Sequence, residues 1–350
     1  MAIQELSRSS SGLPQFHFDE CVETTIINLL AGHPVMIVGP PATGKSTVPK
    51  VVAKKMGWHF KMQQPIGQDQ CDIRGLPSRN GEYTEFFPMD TFFPEEPTLL
   101  CLDEILQARQ KLQLSYMQPI NEKNLNGRKT PDHLYFVGTG NRKEDMCSVE
   151  SSSKHLQNRF FWMELLADND SWLAWGHKAG IDSRILACAA NHEDFIHGFD
   201  VNNPSPAYCT PRTLEYLSNA MDLMEEHGAS VKLEKLAMGW IGQSAALKLM
   251  AHIEYADQCK SPEEIFADPE SVDCEKPGPV FAMVHSCIAN IVRDERISQK
   301  KLKAFIKFTD QMARSLAVMA VKHLMRANDK LIDSKVLADW SAANAEYLGA

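Results

Sequence analysis

The chain has 350 residues and a formal charge of −9 at pH 7, with 36 Lys and Arg against 45 Asp and Glu. That length allows more than one domain, and the acidic balance argues against a broad, non-specific grip on nucleic acid. No apolar run reaches bilayer-spanning length, the first residues lack the apolar stretch of a secretory signal, and nine cysteines without a Cys-x-x-Cys pair suit a reducing, cytoplasmic setting.

In chain order, residues 1–15 are Ser-rich and aperiodic and read as a flexible arm. "FDECVETTIINLLAGH" reads as a helix with Val22, Ile26 and Leu29 on one side and Gly32 ending it. "PVMIV" is a short apolar strand ending at Val38. Lys45 to Met56 reads as a helix that tolerates Pro49 only if it starts late enough to leave that N–H unneeded. "WHFKM", "TLLCLDE", "HLYFVGTGN" and "FFWMEL" are further strands. "TLLCLDE", with Cys101 as a small core residue, is apolar on both faces, as a buried parallel strand should be. A helix is expected from Ile105 to Met117, with Ile105, Ala108, Leu112 and Tyr116 on one face. Strands alternating with helices predict a parallel sheet covered on both sides, an αβα sandwich.

Beyond residue 168 helical periods dominate. "TPRTLEYLSNAMDLM" is one helix with Leu214, Leu217, Met221 and Met224 on one face, the methionines serving as core filling. Residues 261–278 read as a loop. The predicted organisation is a flexible arm (1–15), an αβα core (16–166), a helical segment (167–258) and a helical C-terminal extension (259–350).

The chemistry concentrates in "VGPPATGKST". Gly39, Pro40, Pro41, Ala42, Thr43, Gly44, Lys45 and Ser46 fit G-x-x-x-x-G-K-S/T between a predicted strand and a predicted helix. The glycines let backbone N–H groups approach phosphates. The N-terminus of the helix that follows adds favourable dipole charge, and Thr47 is counted with the phosphate-binding run. Lys45 neutralises the β- and γ-phosphates, and the Ser46 hydroxyl coordinates Mg²⁺. At the end of "LLCLDE", Asp103 is placed to hold Mg²⁺ and Glu104 to act as general base on water. "HEDFIH" resembles a zinc-protease signature, but on a helix its histidines, His192 and His197, stand about 140° apart and cannot share a metal.

With these motifs in place, the sequence resembles the AAA+ ATPases, and within them the MoxR-like branch of phages and proteobacteria, over residues 18–256. "GPPATGKS" and "LLCLDEI" look like its two Walker motifs, "VGTGNR" like the first sensor with Asn141 at the strand tip, "SSKHLQNRF" like the arginine-finger segment with Arg159, and "TPRTLEY" like the second sensor with Arg212. Arg142 is a rival for the finger. Arg212 sits in the first turn of a helix capped by Thr210 and opened by Pro211, where the dipole disfavours a cation, so an outside anion is implied. The stretch 64–88 and a hairpin within 121–133, turning at Asn126-Gly127, match inserts of the branch.

The resemblance implies ATP and Mg²⁺ as substrate and cofactor, a ring, by expectation a hexamer, and a protein partner carrying a von Willebrand factor A domain or another protein target. The function it implies is remodelling or activation of that partner. A nucleic-acid-processing motor and a nucleotide-binding scaffold are the competing classes; Glu104 and Asn141 together argue against the scaffold.

Overall fold

The computed structural model describes residues 12–142, 145, 154–192, 194–200, 202, 205–256, 259–294, 297–331 and 334–348. It divides into two compact units, Met1–Ala167 and Asp168–Ala350.

The first unit contains β1 (Gln15–Phe16), α1 (Phe18–Leu30), β2 (Val35–Val38), α2 (Thr47–Met56), β3 (His59–Gln63), α3 (Gln70–Arg74), β4 (Leu76–Asn80), β5 (Tyr83–Phe87), β6 (Thr98–Leu102), α4 (Gln110–Ser115), α5 (Met117–Asn121), β7 (Asn124–Leu125), β8 (Arg128–Lys129), β9 (Leu134–Gly140), α6 (Lys154–Gln157) and β10 (Phe161–Leu165). Six strands form one parallel sheet in the order β1-β10-β2-β9-β6-β3.

Period-2 alternation splits the core between the two faces of this sheet. Val35 and Ile37 of β2 pack with Val22 and Leu29 of α1 and Val48 and Val52 of α2. Met36 and Val38 point the other way, into a core with Ile73, Ile105, Leu112 and Tyr116. Every residue of β2 and β6 is buried, which is why both read as unbroken apolar runs. The predicted αβα sandwich is the architecture observed.

Several local expectations need correction. Gln15 does not belong to a loose arm: it pairs with Glu164 across β1 and β10, while residues 1–11 lie outside the described residues. The helix expected from Ile105 to Met117 is broken. A 3-10 turn covers Ile105–Gln107, Ala108 is extended at ψ 150°, and helix resumes as α4 and then α5. Ile105, Ala108, Leu112 and Tyr116 are nevertheless all buried, so the apolar face was read correctly and its continuity was not. The second helix begins at Thr47 rather than Lys45, and the N–H groups of Thr47 and Val48 return to the Gly44 carbonyl, leaving Pro49 where no donor is needed. The hairpin turning at Asn126-Gly127 is present, with both residues at positive φ (52° and 88°) as a type I′ turn requires. The stretch 64–88 holds a second antiparallel hairpin, β4–β5, turning at Gly81-Glu82.

The second unit is helical: α7 (Asn169–Ala179), α8 (Ser183–Asn191), α9 (Pro211–His227), α10 (Leu233–Ile241), α11 (Gln243–Ala256), α12 (Pro262–Ala267), α13 (Pro277–Arg293), α14 (Gln299–Thr309), α15 (Arg314–Ala327), α16 (Lys335–Ala343) and α17 (Ala345–Leu348). One apolar cluster joins α7–α11 through Leu173, Ile185, Leu217, Met221 and Leu249. A second joins α12–α16 through Ile265, Ile288, Phe305, Val321 and Leu337. Residues 261–278 are not a plain loop, because Ser261 caps α12 and a 3-10 turn follows at Pro269–Ser271. The described residues of "HEDFIH", 192 and 194–197, are not helical either: α8 stops at Asn191, and His192 is its extended C-cap. No described helix is long and apolar enough to cross a membrane.

Candidate nucleotide site

The site is assembled where the parallel strands end. The loop leaving β2 carries Gly39 through Ser46, with Ala42 at φ 60° and Gly44 at φ 93°. At Gly39 a Cβ would stand 2.8 Å from the Leu165 carbonyl oxygen, so only glycine lets the loop pass that close to the end of β10. Thr43 Oγ1 donates to the Pro40 carbonyl at 3.0 Å, closing the loop on itself. Lys45 is buried, and its Nζ donates to the carbonyls of Gly39 (3.0 Å) and Pro40 (2.5 Å). The ammonium is thus held in the concavity of the loop, where the N–H groups before α2 supply further positive potential.

The end of β6 supplies the acidic side. Ser46 Oγ donates to Asp103 Oδ1 at 2.5 Å, bringing together residues 57 apart in sequence. Thr139, near the end of β9, donates from Oγ1 to the same Asp103 Oδ1 at 2.7 Å. Thr139 Oγ1 also accepts from the backbone N–H of Glu104 at 3.1 Å. One threonine hydroxyl therefore ties both acidic residues to the neighbouring strand. Glu104 is exposed and adopts φ 57°, ψ 33°, the left-handed region. For a non-glycine residue that conformation costs on the order of 1–3 kcal/mol and persists only where the surroundings impose it. Here the Thr139 bond and the 3-10 turn beyond impose it.

Asn141 follows β9 directly and is 8 % exposed; its side-chain amide makes no hydrogen bond among the described residues. Arg142 is engaged within its own chain. Its NH1 donates to Glu164 Oε1 at 2.9 Å, and its NH2 donates to Asp145 Oδ1 at 2.8 Å. Both acids are buried. Arg159 stands exposed on the turn between α6 and β10. Arg212 belongs to the second unit, exposed in the first turn of α9; Thr210 caps that helix by accepting from the Thr213 N–H at 3.2 Å, and Pro211 is its first residue.

Ser46, Asp103 and Glu104, singled out from the sequence, are thus joined through Thr139 in one hydrogen-bonded group, while Lys45 is held by the carbonyls of its own loop. Thr139 is the member that sequence reading missed. It lies inside "VGTGN", two residues before Asn141 and on the same face of the strand, so period-2 spacing was the available signal. The residues around Asn141 and before Arg159 that complete the sensor and finger segments (143, 144 and 146–153) lie outside the described residues. Among the described residues, no group of three or more His, Cys, Asp or Glu could hold a metal ion. The burial of Cys101 pushes its thiol well above the ordinary range, as befits a core residue.

No family model matches the chain, and no curated protein matches it. Among solved structures it is similar to RuvB variants from Thermotoga maritima. One is 16 % identical and covers 72 % of this chain and 78 % of that one, with a TM-score of 0.40. A second, also 16 % identical, covers 88 % and 87 % at a TM-score of 0.38. The Thermotoga maritima RuvB described as a Holliday junction branch migration motor is 16 % identical over 82 % and 79 %, with a TM-score of 0.36.

Proposed function

We propose that the chain is a Mg²⁺-dependent ATPase of the AAA+ type, closest in motif content to the MoxR-like branch. The observation that carries the proposal is the bonded group Ser46–Asp103–Thr139–Glu104 beneath a G-x-x-x-x-G-K-S loop, set at the ends of adjacent parallel strands. A hydroxyl and a carboxylate oxygen meeting at one point suit a hard, oxygen-seeking cation, so Ser46 and Asp103 fit Mg²⁺. Mg²⁺ held there would offset negative charge that develops on the phosphates. Lys45 neutralises the phosphates from inside the loop. Glu104, beyond the end of β6, takes a proton from water, and Asn141 orients that water with its amide.

Arg159 is proposed as the finger that reaches a neighbouring subunit, since it is exposed while Arg142 is tied to Glu164 and Asp145. Arg212 is proposed as the sensor of the same chain's γ-phosphate. In this reading residues 16–166 form the core, 167–258 the lid and 259–350 an extension. The active unit is a ring, of hexameric type by analogy with the branch. It remodels or activates a protein partner, for example one with a von Willebrand factor A domain, in the cytoplasm.

The test is ATP binding by calorimetry, alongside turnover, in the full chain and in Lys45→Ala. The expected result is Mg²⁺-dependent binding lost in the variant. Unchanged affinity would show that the loop does not hold phosphates.

A further inference from the structure

The second unit contains a cavity of about 820 Å³ that the nucleotide chemistry does not use. That volume falls within the range of small-molecule sites. Its walls come from the end of α8, from α11, from the segment leading through Ser271 to Asp273, and from the start of α13. Three lysines line it, Lys248, Lys260 and Lys276, against one carboxylate, Asp273. In a chain of net charge −9 this local balance is reversed.

The lysines differ in their engagements. Lys248 Nζ lies 3.3 Å from Asp194 Oδ2. Lys260 Nζ donates to the carbonyl and hydroxyl oxygens of Ser271 at 2.9 and 2.6 Å, which holds its charge at the rim. The Lys276 ammonium is exposed and has no partner among the described residues. Lys276 is also the N-cap of α13, a helix of 17 residues whose positive dipole end opens at this wall. Pro277 and Pro279 carry no N–H, and Val280 N–H already bonds the Lys276 carbonyl at 3.3 Å. That leaves the Gly278 N–H as the free donor of the first turn, and nothing lies within 4 Å of where a Cβ on Gly278 would be.

A separate feature points to a ligand. His252 lines the cavity and is 3 % exposed, and its Nε2 finds no hydrogen-bond partner. A buried polar nitrogen left unpaired is destabilising. Burial, with His192 nearby, pulls its pKa down to about 4, so the ring is neutral near pH 7 and keeps one N–H to donate.

We propose that this cavity binds a small molecule bearing phosphate, its anion held by Lys260, Lys276, the Gly278 amide and His252. Ammonium, amide and imidazole donors approaching from different walls suit a multivalent tetrahedral anion. Val272 and Met283 provide an apolar wall for the remainder of the ligand.

Inorganic pyrophosphate titrated by calorimetry into the full-length chain tests the site. The wild type is expected to bind two equivalents, one at the Lys45 loop and one here. Lys45→Ala should retain the second, and the double variant Lys260→Ala/Lys276→Ala should retain only the first, with affinity at this cavity reduced about tenfold or more. Both lysines are exposed, so the double variant keeps its fold, which an unchanged circular-dichroism melt verifies. His252→Gln, which keeps a donor, should weaken binding less than His252→Ala. Wild-type stoichiometry in the double-lysine variant would overturn the proposal. So would tighter binding of citrate than of pyrophosphate to Lys45→Ala, which would make the site one for carboxylates.

Discussion

The two units build their main buried polar clusters differently. In the first, Lys45, Asp103, Thr139, Arg142, Asp145 and Glu164 are buried or half-buried and bonded to one another or to the backbone at the strand ends. In the second, His177, His252, His285 and His323 are buried on four helices, and each keeps a ring nitrogen without a partner. His177 Nε2 and His285 Nδ1 lie 2.9 Å apart in stacked rings, and the His323 ring centre is 5.3 Å from that of His285. A sheet edge lets side chains from separate strands converge, so polar groups there can satisfy one another. A helical bundle brings its core residues together side-on, and His177, His252 and His285 stay inside by remaining neutral. The first arrangement suits chemistry on phosphates; the second makes stability depend on pH.

The largest effect that could break this division is expected at Arg159. Arg159→Ala should bind ATP and lose turnover by roughly 10³–10⁵, the range for arginine fingers. Mixing it with Lys45→Ala subunits should restore part of the activity, because those subunits still lend Arg159 to a neighbour's intact pocket. Arg212→Ala should not be rescued that way. Rescue of Arg212→Ala alone would move the trans role to the second unit, with native mass spectrometry showing that mixed rings form.

Glu104→Gln should keep ATP affinity and lower turnover by about 10²–10⁴, since the amide cannot accept the proton. Wild-type turnover would remove Glu104 as the base. Thr139→Val sharpens the contrast further. It removes the hydroxyl shared by Asp103 and Glu104 at nearly constant volume, and kcat should fall about tenfold with a smaller change in KM. Thr139→Ser should restore most of it; a variant with full kcat would show that the bridge is packing alone.

A last effect falls on stability rather than turnover, as pH drops below neutral. Burial holds His177 at about 3 and His252 at about 4, below the ordinary 6.5. Because the folded state prefers the neutral ring, this contribution is intact above pH 6.5 and is lost as pH falls from 6.5 toward 3–4. Asp170, lowered to about 2 mainly by its hydrogen bond to His323, adds a loss in the same direction at lower pH. The total is on the order of a few kcal/mol. Hydrogen exchange at pH 5 should therefore show α7, α11 and α13, which carry His177, His252 and His285, opening before the β-sheet. Earlier opening of the sheet would reverse the comparison.

Much of the first unit was legible before its structure. β2, β6, β9 and β10 were visible as short apolar runs, and the loop after β2 as a phosphate grip, because strand burial and glycine freedom are encoded locally. The Thr210 cap and Pro211 start of α9 were legible for the same reason. The β4–β5 hairpin was missed although Asn80-Gly81 marks its turn, since its strands are exposed and lack apolar alternation.

Other features are set by partners distant in sequence. β1 is two residues long and exists only because β10 pairs with it. The break between Ile105 and Gln110 interrupts a periodicity that favours helix throughout, and the left-handed turn at Glu104, held by Thr139 from β9, starts it. The sequence by itself determined which residue types could grip a phosphate chain and which runs would form the sheet, since both depend on neighbours a few positions away. Only the tertiary structure decided that Thr139 joins Asp103 to Glu104 and that Arg142 is bound to Glu164. The first pairing needs β6 and β9 to lie side by side, and the second needs the residue after β9 to reach across the end of β2 to β10; the order and register of a parallel sheet are properties of the folded chain.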